Sequence, residues 1–288
     1  MLHTANLVAS FESAGRQNGA SMSEHSATAG LESGADTLRA PAAFAGKYLY
    51  AIIGNSPGLH YAAAGLAEAD IYTITEGGVS AVVSDVAQVR LRPEKRHLAA
   101  HRDVLARLMV AATPLPISFG TVAASTEAVR KILSRNQRAF LEQLNHLAGN
   151  AEMGLRVLWD VPNIFEYFVH THAELRAARD RIFGRQREPM QEEKLELGRL
   201  FASLLQEDRE ICTEKVEEAL SPHCVAIKPN KCRNEREVMS LACLVGRGEQ
   251  PAFEAQVFEV ARLFDTHYAF DYSGPWPPYN FVEMDLRL

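Results

Sequence analysis

From residue 153 onward the hydrophobic pattern alternates between strand and helix periods in a fixed order, and no other feature of the chain constrains its fold as much. MGLRVLWD (153–160) reads as a strand, and Pro162 opens a helical region that runs to about Arg181. A second, strongly charged helix from about Gln191 to Leu220 turns Leu197, Phe201, Leu204, Leu205, Ile211, Val216 and Leu220 toward a core. Ser221-Pro222 stops it. HCVAIKP and VMSLACLVG give two more strands, and Pro251 starts a helix with Phe253, Val257, Val260, Ala261 and Phe264 on one side. THYAFDYSG is the last strand. The order β-α-β-β-α-β, with an enlarged first crossover, predicts a modified ferredoxin-like domain.

A different pattern precedes it. KYLYAII, from Lys47, is apolar on both faces and suits a central strand. IYTIT (71–75) and VSAVVSDV (79–86) flank Glu76-Gly77-Gly78, a hairpin signal because glycine accepts positive φ. Pro93 suits the first position of a helix through KRHLAAHRDVLARLMVAA, and Pro114 and Pro116 leave room only for a short extended PISF. A helix from about Ser125 to Leu147 puts Val129, Ile132, Leu133, Phe140, Leu141, Leu144 and Leu147 on one face. The pattern restarts at Gly149. The fold class is therefore α+β in two domains, 47–148 and 149–288. Residues 1–46 mix Ala, Ser, Gly and Glu without period, as expected of a disordered leader. Within it, Leu7, Val8 and Phe11 leave room for a docking peptide.

Composition narrows the function. A chain of 288 residues with 47% apolar and 23% charged residues has the profile of a soluble globular protein. A net charge of -6 without a basic run argues against nucleic acid as a partner. No stretch reaches the ~20 apolar residues that cross a bilayer, and no export signal opens the chain, so neither a lipid membrane nor export is expected. Cys212, Cys224, Cys232 and Cys243 are too sparse for a disulfide scaffold and wrongly spaced for structural zinc. They read as free thiols in a reducing compartment.

Motifs of enzymatic chemistry fail one by one. Gly54-Asn55-Ser56-Pro57-Gly58 matches a nucleophile elbow, but the residue after the serine must donate an oxyanion N–H, and Pro57 has none. His97 and His101 have the i,i+4 spacing of a zinc protease, yet Leu98 stands where the general-base glutamate belongs. His170 and His172, two apart, fall on different faces of a helix. Neither common phosphate-binding glycine motif occurs. The carboxylates between Glu192 and Glu218 interleave with Lys194, Arg199, Arg209 and Lys215, as on a solvated helix face. No catalytic residue, metal or cofactor is therefore assigned, and the chain is not read as an enzyme.

Ser273-Gly274-Pro275-Trp276-Pro277-Pro278-Tyr279-Asn280-Phe281-Val282 is the most unusual run. Three prolines in four positions favour an extended backbone carrying Trp276, Tyr279 and Phe281. Such a stiff segment loses little entropy on docking. It either folds back over the chain's own domain interface or grips another protein.

Taken with YLYAI (48–52), VSAVVSDV (79–86), AHRDVLARLM (100–109), LPISFGTV (115–122) and the strand Gly154 to Asp160, this run makes the chain resemble the gas vesicle protein F/L family (GvpF/GvpL). The resemblance covers Lys47 to Val282 and leaves the leader outside. It implies an accessory or minor structural protein of gas vesicles, located there or in the cytoplasm during assembly. The implied partner is the major shell protein GvpA, with other accessory proteins as further candidates. The residues that carry the motifs, and so the candidates for interaction, are Gly274, Pro275, Trp276, Pro277, Pro278, Tyr279, Phe281, His101, Phe119 and Gly120. The N-terminal sheet and the helix from His101 to Met109 are the first surfaces expected to meet the shell protein. The residues alone leave two alternatives, an enzyme without a recognisable motif and a ligand-sensing module, each with its site between the domains.

Overall fold

The computed structural model describes residues 6–9, 46–55, 60–87, 91–184 and 188–284. Two sheets alternate with three helical layers. The first sheet has the order β3(His60–Ala64), β4(Asp70–Glu76), β5(Val79–Val86), β2(Gly46–Gly54), β6(Leu115–Pro116), with β7(Val122–Ala123) also paired to β2. All its pairs are antiparallel. Gly77, at φ 59°, makes the two-residue turn between β4 and β5 that the glycine pair predicts.

Strand β2 is central, as its two apolar faces require, and it carries a bulge. Its register on β5 passes from Leu49↔Val83 to Ala51↔Val82, so Tyr50 is the extra residue. The bulge shifts the alternation of faces. Tyr48, Tyr50, Ala51 and Ile53 join a core under α1(Lys95–Ala111), built with Val104, Leu105 and Leu108. Leu49 and Ile52 face the opposite way, onto α2(Thr126–Leu147). Ser125 caps α2 by accepting the Ala128 N–H, which fixes its start where the sequence places it.

The second sheet has the order β11(Tyr268–Trp276), β8(Asn150–Trp159), β10(Glu237–Gly246), β9(Ala226–Asn230), with antiparallel neighbours. That is the strand order of the split βαβ arrangement. One face packs on α3(Ile164–Thr171), α4(Ala173–Phe183), α5(Gln191–Leu220) and α6(Gln250–Ala261) around Leu155, Val157, Trp159, Phe168, Phe253 and Phe270. On the other face, Ala242 and Leu244 of β10 share a core with Phe140 and Leu133 of α2 and with β2 and β5. Helix α2 therefore lies between the two sheets, and one apolar core joins the domains.

The structure adds β3 and β7, which the sequence reading did not place, and departs from that reading in three further places. Asn6–Ala9 forms β1, paired in parallel to β11 from Asn6↔Ala269 to Ala9↔Tyr272, where no element was expected before Lys47. The rest of 1–45 lies outside the described residues. Helix α1 starts at Lys95 and not at Pro93, because Glu94 is extended (φ -75°, ψ 147°) and its carbonyl accepts the first helical N–H groups, from His97 and Leu98. The region after Pro162 is two helices broken at His172, where the Arg176 guanidinium takes the Val169 and His170 carbonyls at the end of α3. Among the described residues, no helix is long and apolar enough to cross a membrane.

Phe140 is fully buried in the layer between the sheets. Phe140→Ala is expected to cost about 3–5 kcal/mol through lost transfer energy and a cavity. A urea unfolding midpoint lowered at unchanged slope would register it.

Candidate functional site

Four of the ten candidate residues, His101, Phe119, Gly120 and Tyr279, meet beside β2 and α1. Strand β11 ends at Trp276, and the chain then turns sharply, with the Phe281 and Val282 N–H groups donating to the Pro278 carbonyl. The segment is thus extended only as far as Trp276. What bends it is Glu152 of β8, whose carboxylate accepts both the Asn280 backbone N–H (2.8 Å) and its Nδ2–H (2.6 Å). Pro277 and Pro278 are buried, and Phe281, 5% exposed, enters the core shared by the two sheets. Gly274, at φ 130°, lies so close to β8 that a Cβ would meet Met153 Sδ at 2.9 Å and the Glu152 carbonyl at 3.0 Å. Pro275 is exposed beside it. The run folds back on its own chain, and the interior takes Phe281 and the prolines instead of Trp276. Trp276 stays 39% exposed, its Nε1–H on Ser273 Oγ at 3.3 Å, and Tyr279 is 43% exposed.

The Tyr279 hydroxyl reaches His101 Nε2 at 3.4 Å. On the other side of the ring, His101 Nδ1 lies 2.8 Å from the Tyr48 hydroxyl, which also accepts the Gly120 N–H at 3.2 Å. Tyr50 stacks on the imidazole at 5.7 Å, while Phe119 meets His101 edge-on at 5.8 Å and Tyr48 at 6.1 Å. The loop from Ile117 to Gly120 is held at this distance because Gly120 adopts φ 90°, which favours glycine. Arg247, just after β10, adds a second tie by donating to the Met109 and Ala112 carbonyls at the end of α1.

Electrostatics here favour neutral groups. His101 is 3% exposed, and burial holds its pKa down at about 4, with a bond to the Ile117 backbone pulling the other way. Burial pushes the Tyr279 phenol up to about 12 and raises Tyr48 and Tyr50 as well. Burial also raises the Glu152 carboxyl, against the lowering effect of the two Asn280 bonds. None of these groups is activated as a nucleophile at neutral pH. The arrangement fastens one domain to the other.

The remaining candidates separate. His97, half-buried, bonds the Arg92 carbonyl while His101 is held between Tyr48 and Tyr279, so the two rings do not converge, and among the described residues no group of three or more His, Cys, Asp and Glu is placed to hold a metal. His170 bonds the Glu166 carbonyl, and His172 bonds Asp208. Burial raises the thiols of Cys212 and Cys232, and that of Cys243 is raised first by its bond to Cys224 and then by burial. Residues 56–59, with Ser56 of the elbow-like motif, lie outside the described residues. Three described grooves are each lined from a single domain. The N-terminal sheet has both faces covered, by α1 and by α2, and α1 spends His101, Val104, Leu105 and Leu108 on the interior. Sequence reasoning missed Glu152, Asn280, Tyr48, Tyr50 and Arg247. The two tyrosines stand in YLYAI at strand spacing, which was a usable signal; Arg247 sits in a turn and offered none.

Residues 46–283 match the model of the family described as gas vesicle synthesis protein GvpL/GvpF. The chain belongs to the GvpL/GvpF family. It is 27% identical to gas vesicle protein F of Streptomyces sp. (strain CB03234), over 82% of this chain and 99% of that protein. It is likewise 27% identical to gas vesicle protein L1 of Halobacterium salinarum, over 82% of this chain and 90% of that one. The crystal structure of GvpF from Anabaena sp. PCC7120 superposes with a TM-score of 0.73 at 25% identity, covering 84% of this chain and 99% of that chain. Membership supports a gas vesicle-related role and places the chain in no known enzyme class.

Two measurements check the junction. Glu152→Ala removes the acceptor of both donors of the exposed Asn280, which water can then reach, and is expected to cost about 1 kcal/mol. Glu152→Gln keeps one acceptor oxygen but turns an NH2 donor toward the other Asn280 donor, so it is expected to keep one of the two bonds and to fall between the parent and Glu152→Ala in chemical denaturation. His101 has a folded pKa of about 4 against 6.5, so the unfolded chain takes up the proton first as pH falls. Its contribution to stability is full above about pH 6.5 and is lost toward pH 4, with a slope approaching about 1.4 kcal/mol per pH unit. Melting curves from pH 7 to pH 4.5 should show that loss, and His101→Gln should flatten it.

Proposed function

We propose that this chain is a gas vesicle accessory or minor structural protein that binds the major shell protein GvpA and supports vesicle assembly, at the vesicle or in the cytoplasm around it. The observation that carries the reading is the locked C-terminal turn of a GvpL/GvpF chain, from which Trp276 and Tyr279 remain part-exposed on a rigid base. Exposed aromatic rings held by a fixed backbone lose little entropy on binding and are favoured as contact points. A shell subunit that assembles through apolar faces would aggregate if left free in water, and a partner covering those faces suppresses wrong contacts. In this reading Trp276 and Tyr279 touch the partner, while Glu152, His101, Phe119 and Gly120 position them and Phe281 anchors the turn.

Co-expression of the tagged chain with GvpA tests it. The shell protein is expected to co-purify with the chain, and Trp276→Ala to reduce retention at unchanged melting temperature. Absence of retention, with both proteins soluble, would refute the shell-protein partner.

A further inference from the structure

The second sheet has two ends, and they are protected in different ways. At one end, β9 carries Lys228 and Pro229 within the five residues Ala226–Asn230. A proline cannot donate to an added strand and a lysine resists being covered, so this edge is blunted against pairing. At the other end, β11 is nine residues long, and its stretch Tyr268 to Tyr272 (YAFDY) contains neither lysine nor proline. All its outward N–H and C=O groups are competent to pair. Here the protection is β1, four residues laid in parallel along Ala269 to Tyr272.

The cover comes from outside the family's common body. The family match begins at residue 46, and relatives matched over 98–99% of their own length leave no room for a counterpart of residues 1–45. Residues 10–45 separate β1 from β2. β1 is covalently joined to the body whose edge it covers, so it competes as an intramolecular strand with any segment supplied in trans. Four paired residues are fewer than the roughly five to six of a typical strand, so the contact is a short one. Past the cover the ladder is interrupted at Gly274-Pro275, and what lies beyond it for an added segment is side-chain contact with the exposed Trp276.

We propose that the β11 edge is a strand-docking surface, that Asn6–Ala9 covers it in cis, and that an extended apolar segment of the bound partner takes its place. The segment seated there, Asn-Leu-Val-Ala, defines the chemistry: uncharged, extended, rich in branched apolar side chains, and paired in parallel. The identity of the partner rests on the function proposed above; the edge and its cover do not.

The test uses the full chain with Leu7→Pro and Val8→Pro together, which removes strand-forming N–H groups from β1 while leaving 46–283 untouched. A fluorescein-labelled peptide of residues 4–11 is titrated against both proteins, amide exchange is followed over 269–272, and GvpA retention is compared. The proline variant is expected to melt as the parent does, to exchange faster over part of 269–272, and to bind the peptide at least about tenfold more tightly, since the cis strand no longer competes. It should also retain more GvpA. Equal peptide binding and equal exchange in the two proteins would overturn the proposal. A peptide difference with unchanged GvpA retention would overturn its partner half. Loss of GvpA from both proteins would refute the preceding functional reading and leave the edge result standing.

Discussion

One strand, buried on both faces, makes this molecule a single body. β10 turns Leu241, Cys243 and Val245 toward the helices α3 to α6, and turns Ala242 and Leu244 toward α2 and the first sheet. Its near-continuous apolar run, VMSLACLV, is what a strand covered on both faces needs. Because α2 fills the space between the sheets, each domain completes the other's core. Neither sheet could present its inner face to a partner without breaking that layer.

Polar chemistry then fixes what apolar packing leaves loose. Burial of apolar area is non-directional. The bonds from Asn280 to Glu152, the Tyr48–His101–Tyr279 chain and the Arg247 cap on α1 set one geometry for the junction. Buried polar groups tolerate few alternatives, since a missing partner costs more than a present one contributes. The depressed imidazole and raised phenols record the same burial. They also explain why a histidine between two tyrosines here works as a fastening: burial moves the imidazole and both phenols away from neutral pH.

A protein built this way offers partners its edges and rims. The first sheet is closed on both faces, and the surfaces left are strand edges, helix exteriors and the part-exposed aromatic rings at the C-terminal turn. That geometry suits a chain whose family is described as gas vesicle synthesis proteins and whose three described grooves are each lined from around one of the two sheets.

The sequence by itself determined the elements and their order, because each depends on local chemistry. The β-α-β-β-α-β succession, the Gly77 turn, the Ser125 cap and the breaks at proline follow from periodicity and backbone preference among near neighbours. It also marked His101, Phe119, Gly120, Tyr279 and Phe281 as unusual. Only the tertiary structure decided that the first four converge while Phe281 enters the apolar core, since His101 and Tyr279 stand 178 positions apart and meet through the packing of α2 between two sheets. The same holds for Glu152, a charged residue in a strand whose carboxylate turns the C-terminal segment inward and leaves Trp276 part-exposed. The pairing of Asn6–Ala9 with β11 was legible only as room for a docking peptide at Leu7, Val8 and Phe11, because a strand of four residues carries no period of its own and takes its conformation from the edge it meets.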